Sequence, residues 1–175
     1  VERYGEREAL VVRGQWYRAT YRQLWDATTA LARALMAAGI QKGDRVGIWS
    51  PNRWEWVVVQ FATARMGAIL VNLNPAYKTA ELEYALTQSG TKLLFLARHF
   101  RTSHYAEMLD AVRPNCPQLQ QSVILDGEWD AFLERGVEVS ESALAEREAS
   151  LQFDDPINIQ YTSGTTGFPK GATLS

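Results

Sequence analysis

The residues able to do chemistry concentrate in one run, Tyr161-Thr162-Ser163-Gly164-Thr165-Thr166-Gly167-Phe168-Pro169-Lys170-Gly171. The hydroxyls of Thr162, Ser163, Thr165 and Thr166 can each donate a hydrogen bond. Gly164 and Gly167 allow positive φ, so that successive backbone N–H groups can converge on one point. Lys170 adds a full positive charge on a long stem, and Pro169 stiffens the return of the chain. Such an array of donors suits a guest with many anionic oxygens, and polyphosphate is the guest it predicts. A flexible Ser/Thr/Gly linker is the plain alternative. That reading does not explain why the run follows an alternating strand, with Ile157, Ile159 and Tyr161 set against Asn158 and Gln160. Nor does it explain why the run leads through Pro169-Lys170-Gly171 into a second apolar stretch at Ala172-Thr173-Leu174.

Other nucleotide loops fit less well. A Walker-type loop needs glycine and lysine adjacent with a Ser or Thr next to them, whereas the order here is Pro169-Lys170-Gly171. A dinucleotide fingerprint is absent after the apolar run Arg45 to Trp49. Cys116, the only cysteine, stands in the turn-like Pro114-Asn115-Cys116-Pro117 and reads as an idle thiol. It rules out an internal disulfide and favours a reducing compartment. His99 and His104 are the only histidines. Five residues apart, they share neither a helical nor a strand face with carboxylates in register, so no metal ligand set and no catalytic residue is assigned.

The elements that must position the loop follow from periodicity. Ala9 to Arg13 and Gln15 to Ala19 read as two strands meeting at Gly14. Thr20 and Gln23 make a capping box for a helix with Leu24, Thr28, Leu31, Leu35 and Ala38 at helical spacing, stopped by Gly39 and Ile40. From Asp44 onward short apolar strands alternate with amphipathic helices, the pattern of a mostly parallel sheet with flanking helices, an α/β fold. The predicted strands are 45–49, 68–73, 92–96, 122–125 and 157–161. Ser50 and Pro51 are expected to open a helix running through Arg65, Thr79 to cap one ending at Ser89-Gly90, and a further helix to run from 103 to 112. Trp54 and Trp56 lie beside Val57, Val58, Phe61 and Ala62, a core pattern rather than an aromatic ligand platform. The charged segment 128–150 reads as two short helices in a surface excursion.

A net charge of -2 and pI near 5.8 leave no basic field for nucleic acid or an anionic membrane. No stretch approaches the ~20 apolar residues of a membrane span. The chain begins at Val1, so any targeting peptide is expected to have been removed or to lie outside this sequence.

The run 161–171 resembles the phosphate-binding signature of the adenylate-forming superfamily of AMP-binding enzymes, which includes acyl-CoA synthetases, luciferases and the adenylation domains of peptide synthetases. Further stretches agree in order and spacing: Thr20-Tyr21-Arg22-Gln23-Leu24, Gly43-Asp44-Arg45-Val46-Gly47-Ile48, and 67–75 leading into Glu81-Leu82. The similarity covers essentially the whole chain. Residues 155–160 and 172–175 look most like the medium-chain fatty acyl-CoA ligases.

The resemblance implies a carboxylic acid activated by ATP as an acyl-adenylate and captured by coenzyme A, with Mg2+ accompanying ATP. It implies phosphate contacts by Thr162, Ser163, Thr165 and Thr166, backbone approach at Gly164 and Gly167, and Lys170 on the pyrophosphate. The family's adenine, ribose, magnesium and mobile-domain residues lie downstream of Ser175, so this polypeptide alone is expected to be an inactive N-terminal part, with the C-terminal remainder of the parent as its partner. An adenylating enzyme for aryl or amino acids, or a non-catalytic nucleotide-binding or interaction domain, shares the same features. By similarity residues 1–43 belong with a neighbouring subdomain and 44–175 form the first α/β subdomain, which would leave Leu24, Leu31 and Leu35 more exposed than their spacing suggests. The implied location is the cytoplasm, or the mitochondrial matrix in a eukaryote.

Overall fold

Thr20 starts the longest helix by the means its sequence carries. Its Oγ1 accepts from the Gln23 N–H while the Gln23 side chain accepts from the Thr20 N–H, closing the capping box. At the other end Gly39 takes φ 83, and the N–H groups of Gly39 and Ile40 return to the carbonyls of Met36 and Leu35. The computed structural model describes residues 1–162 and 169–175.

In chain order the elements are β1 (Glu8–Val12), β2 (Tyr17–Thr20), α1 (Tyr21–Ala37), β3 (Arg45–Trp49), α2 (Trp54–Met66), β4 (Ile69–Leu73), α3 (Thr79–Ser89), β5 (Leu93–Leu96), β6 (His99–Phe100) and β7 (Ser103–His104). There follow α4 (Tyr105–Val112), β8 (Gln121–Ile124), α5 (Leu125–Glu134), α6 (Glu141–Ala149), β9 (Asn158–Thr162) and β10 (Lys170–Leu174). β1 and β2 form a separate antiparallel hairpin. Its left-handed residue is Trp16, not Gly14.

The main sheet has the order β10-β9-β4-β3-β5-β8. All neighbours are parallel except β10, which runs antiparallel to β9. This is the mixed α/β architecture, a mostly parallel sheet with helices on both faces, expected from alternating short strands and amphipathic helices. Successive strand residues point to opposite faces and so feed two cores. Val46, Ile48, Leu70, Leu93 and Phe95 pack with α1, α2 and α5. Trp49, Val71, Leu73, Leu94 and Leu96 pack with α3 and α4. Trp49 stacks on Tyr105 with ring centroids 3.6 Å apart.

Several expectations are corrected. α2 begins at Trp54, with Arg53 before it, because the Ser50 hydroxyl donates to the Pro51 carbonyl instead of capping a helix. The N-cap of α3 is Lys78, whose N–H is held by the Glu81 carboxylate. Ser103 and His104 belong to β7, so α4 starts at Tyr105. Leu31 and Leu35 are fully buried against α2, and only Leu24 is partly exposed. Phe61, expected in the core, is half exposed.

The segment 128–150 does contain two helices, but it is not a mere excursion. Trp129, Phe132 and Leu144 close the core over α1. Gly136 lies against the α1 backbone so closely that a Cβ there would come within 2.6 Å of the Ala34 nitrogen. Arg65 ties three helices, stacking over Trp25 at 3.7 Å, donating to Thr28 and Thr29, and pairing with Glu148 at 2.6 Å. Trp54 stacks on Tyr17 and meets Trp129 edge-on, so its role is packing. Among the described residues no helix is long and apolar enough to cross a membrane.

Candidate functional site

β9 carries the chain to the C-terminal end of the parallel sheet, the end at which open α/β sheets bind ligands. β10 brings it back along the outer side of β9, with Lys170 opposite Thr162 and Gly171 opposite Tyr161. The two candidate residues at the mouth of the loop are therefore direct cross-strand partners. The Thr162 hydroxyl lies 3.4 Å from the Lys170 carbonyl, and both residues are exposed. Ser163, Gly164, Thr165, Thr166 and Gly167 lie outside the described residues.

The strand beneath the loop is fixed on both faces. Alternation predicted Asn158 on the polar side, yet Asn158 is buried while Ile157 and Ile159 are only partly so. Its carboxamide accepts from Asn72 Nδ2 at 2.9 Å and donates to Gln60 Oε1 at 3.1 Å, an amide chain linking β4, β9 and α2. On the other face the Tyr161 hydroxyl donates to the Ala85 carbonyl of α3 at 3.0 Å. Burial pushes the Tyr161 phenol up to about 12, so it remains a donor at physiological pH. From the same helix Tyr84 donates to the Pro169 carbonyl at 3.2 Å. At Gly171 a Cβ would stand 3.0 Å from Ile159 Cγ2, a tight approach, and in ordinary contact with the Tyr161 ring.

Residues that follow β3, β5 and β8 are joined by ion pairs and hydrogen bonds. Arg53 binds the Glu55 carboxylate through Nε and Nη2 and reaches Asp126 at 2.9 Å, while Gln15 donates to Glu55 at 3.0 Å. Burial works to raise the Asp126 carboxyl, but hydrogen bonds from the Arg98 N–H and Arg53 outweigh it and hold the group below its ordinary value. These charges satisfy one another, whereas at the β9–β10 mouth Lys170 and Thr162 are both exposed.

His99 and His104, expected to share no helical or strand face with carboxylates in register, are partners of each other across the antiparallel pair β6 and β7. Among the described residues no group of three His, Cys, Asp or Glu is placed to hold a metal ion. The described residues flanking the loop offer hydroxyl and carbonyl oxygens at Thr162, Pro169 and Lys170, the donor type that a magnesium ion accepts beside water and phosphate. Cys116 is buried beside Thr87, and burial raises its thiol, consistent with an unreactive side chain. Tyr84 escaped sequence reasoning. The Pro169 carbonyl that it reaches lies 85 residues away, and nothing in the spacing of α3 marks that contact.

Comparison with known proteins places this geometry. The family description "AMP-binding enzyme" matches residues 1–175. The mitochondrial medium-chain acyl-CoA ligase ACSF2 of Danio rerio is 38% identical over 194 residues, covering 100% of this chain and 32% of that protein. A long-chain-fatty-acid-CoA ligase of Archaeoglobus fulgidus superposes with TM-score 0.82 at 25% identity, covering 99% of this chain and 34% of that one. The N-terminal domain of FACL13 from Mycobacterium tuberculosis gives TM-score 0.76 at 28% identity, covering 99% and 41%. The chain spans about a third of the length of the curated relatives it matches.

Proposed function

The chain belongs to the AMP-binding enzyme family, and on that premise we propose that it forms the N-terminal part of an ATP-dependent acyl-CoA synthetase acting on a medium-chain fatty acid. The observation that carries the reading is the pairing of Lys170 with Thr162 at the mouth of a Ser/Thr/Gly loop, at the C-terminal end of a parallel sheet. Thr162, Ser163, Thr165 and Thr166 donate to the phosphates, Gly164 and Gly167 permit backbone approach, and Lys170 faces the pyrophosphate. The names of the relatives support the acid and thiol substrates.

In this reading a carboxylate oxygen attacks the α-phosphorus of ATP, the bond to the bridging oxygen breaks, and pyrophosphate leaves with that electron pair. The coenzyme A thiolate then attacks the acyl carbon and AMP departs. An anion approaching a polyanion meets repulsion, and the leaving pyrophosphate gains charge. Fixed donors and one cation on the β- and γ-phosphates therefore lower the barrier. Magnesium bound to the triphosphate supplies further charge neutralisation.

Residues 1–43 are assigned to a neighbouring subdomain and 44–175 to the first. The apolar groove lined by Val1, Tyr21, Leu24, Trp25 and Phe61 on the outer side of α1 and α2 is where such a neighbour would rest. Turnover belongs to the longer protein, located in the cytoplasm, or in the mitochondrial matrix of a eukaryote as the relatives' names suggest.

Pyrophosphate exchange by the full-length protein, screened against acids of increasing length, tests the proposal. Exchange should peak with medium-chain acids. Thr165→Val should reduce it about 100-fold or more, and Ser142→Ala, on α6, should leave it unchanged. Equal rates for the two variants would remove the loop from the mechanism.

A further inference from the structure

α3 holds both flanks of the loop from two consecutive residues. Ala85 accepts from Tyr161, one residue before the end of the entry strand β9, and Tyr84 donates to Pro169, the residue just before the exit strand β10. The two ties differ in what would replace them. Tyr161 lies inside β9 and is also fixed by the ladder to Gly171. Pro169 stands outside the paired residues and has no N–H, so its carbonyl is its one main-chain hydrogen-bonding group. That carbonyl is engaged by the Tyr84 hydroxyl.

The Tyr84 hydroxyl is also engaged along its own helix. Gln88 Nε2, one helical turn on, donates to the Tyr84 oxygen at 2.8 Å. An amide N–H₂ can only donate, so the phenol oxygen accepts there, and the hydroxyl donates to the Pro169 carbonyl. α3 is a firm base for this, since Leu82, Ala85 and Leu86 are buried in the core beneath it and Gly90 closes its end at φ 63. Lys170 follows Pro169 directly, so the placement of that carbonyl sets where the lysine backbone enters the sheet.

From this geometry we propose that Tyr84 is a positioning residue for the phosphate-binding loop, acting through Pro169 to set Lys170 against the triphosphate. The proposal rests on the synthetase reading above. It concerns ATP alone: loss of the Tyr84 hydroxyl should weaken the enzyme toward nucleotide and leave the acid site untouched.

The test uses the full-length enzyme and pyrophosphate exchange, with KM for ATP and KM for the fatty acid measured separately. Tyr84→Phe keeps the ring and removes the hydrogen bond; it should raise KM for ATP about three- to tenfold, the range one hydrogen bond supports, with KM for the acid unchanged. Glu83→Gln, the preceding residue on the same helix, should leave both constants at their wild-type values. A partly unfolded preparation lowers the apparent kcat and moves neither KM, so misfolding does not imitate the expected split. An unchanged KM for ATP in Tyr84→Phe, or an equal rise in both constants, overturns the positioning role while leaving the synthetase reading in place. A wild-type enzyme with no exchange for any acid overturns that reading and the positioning role with it.

Discussion

Strands β3 and β5 bury nearly every residue, whereas β10, in the same sheet, exposes all of its own. The middle strands are apolar on both faces and supply both cores. The edge strand carries polar and small residues up to Leu174 and holds its place through the β9 ladder and the tyrosine ties to α3. The difference teaches that stability and the proposed chemistry are housed apart. The centre is densely packed on both faces, and the edge can present Lys170 to solvent because little of the core depends on it.

In the centre, Phe95 is fully buried between Trp129 and Phe132. Phe95→Ala should destabilise the fold by about 3–5 kcal/mol, read as a fall in the denaturant midpoint. At the edge the expectation reverses. Lys170→Ala in the full-length enzyme should cut pyrophosphate exchange by about 100- to 1,000-fold while leaving the denaturation midpoint where it was. A large loss of stability from Lys170→Ala would show that the two regions are not independent.

A smaller effect should separate the regions by pH. Asp44, at the entry to β3, is subject to burial, which raises its carboxyl. The hydrogen bonds from Lys92 and the Gln41 N–H and the nearby charges of Lys92 and Arg45 prevail and hold it below its ordinary 3.8. Below that value the unfolded chain takes up a proton that the folded one resists, so the stabilisation is complete above it and fades as the pH falls through the folded value. Urea midpoints at about pH 6 and about pH 3 should therefore show wild type and Asp44→Asn well separated at the first and converging at the second. A constant gap would mean that Asp44 acts through shape and not charge.

Much of this organisation was legible locally. Thr20 with Gln23, Gly39 with Ile40, and the apolar runs of β3, β4 and β5 each specify their own conformation within a few residues, so α1 and the parallel sheet could be read directly. What stayed hidden depended on distant partners. Nothing near Asn158 indicates that Asn72 and Gln60 will meet it, and nothing near Phe132 or Leu144 reveals that they close the core over α1. The start of α2 was misplaced because Ser50 spends its hydroxyl on the adjacent carbonyl. The loop stands out in composition and order, whereas the hydrogen bond from Tyr84 to Pro169 beside it is a tertiary fact.

The amide chain through Asn72, Asn158 and Gln60 has a consequence for where the loop begins. Sliding β9 by a single residue along β4 would turn Gln160 or Ile159 toward the wrong face and strand the carboxamides away from water without partners. Those three side chains thus work as a ruler: they fix the height above the sheet at which the backbone leaves β9, and any ligand gripped beyond that point inherits its elevation from a measurement made deep inside the protein.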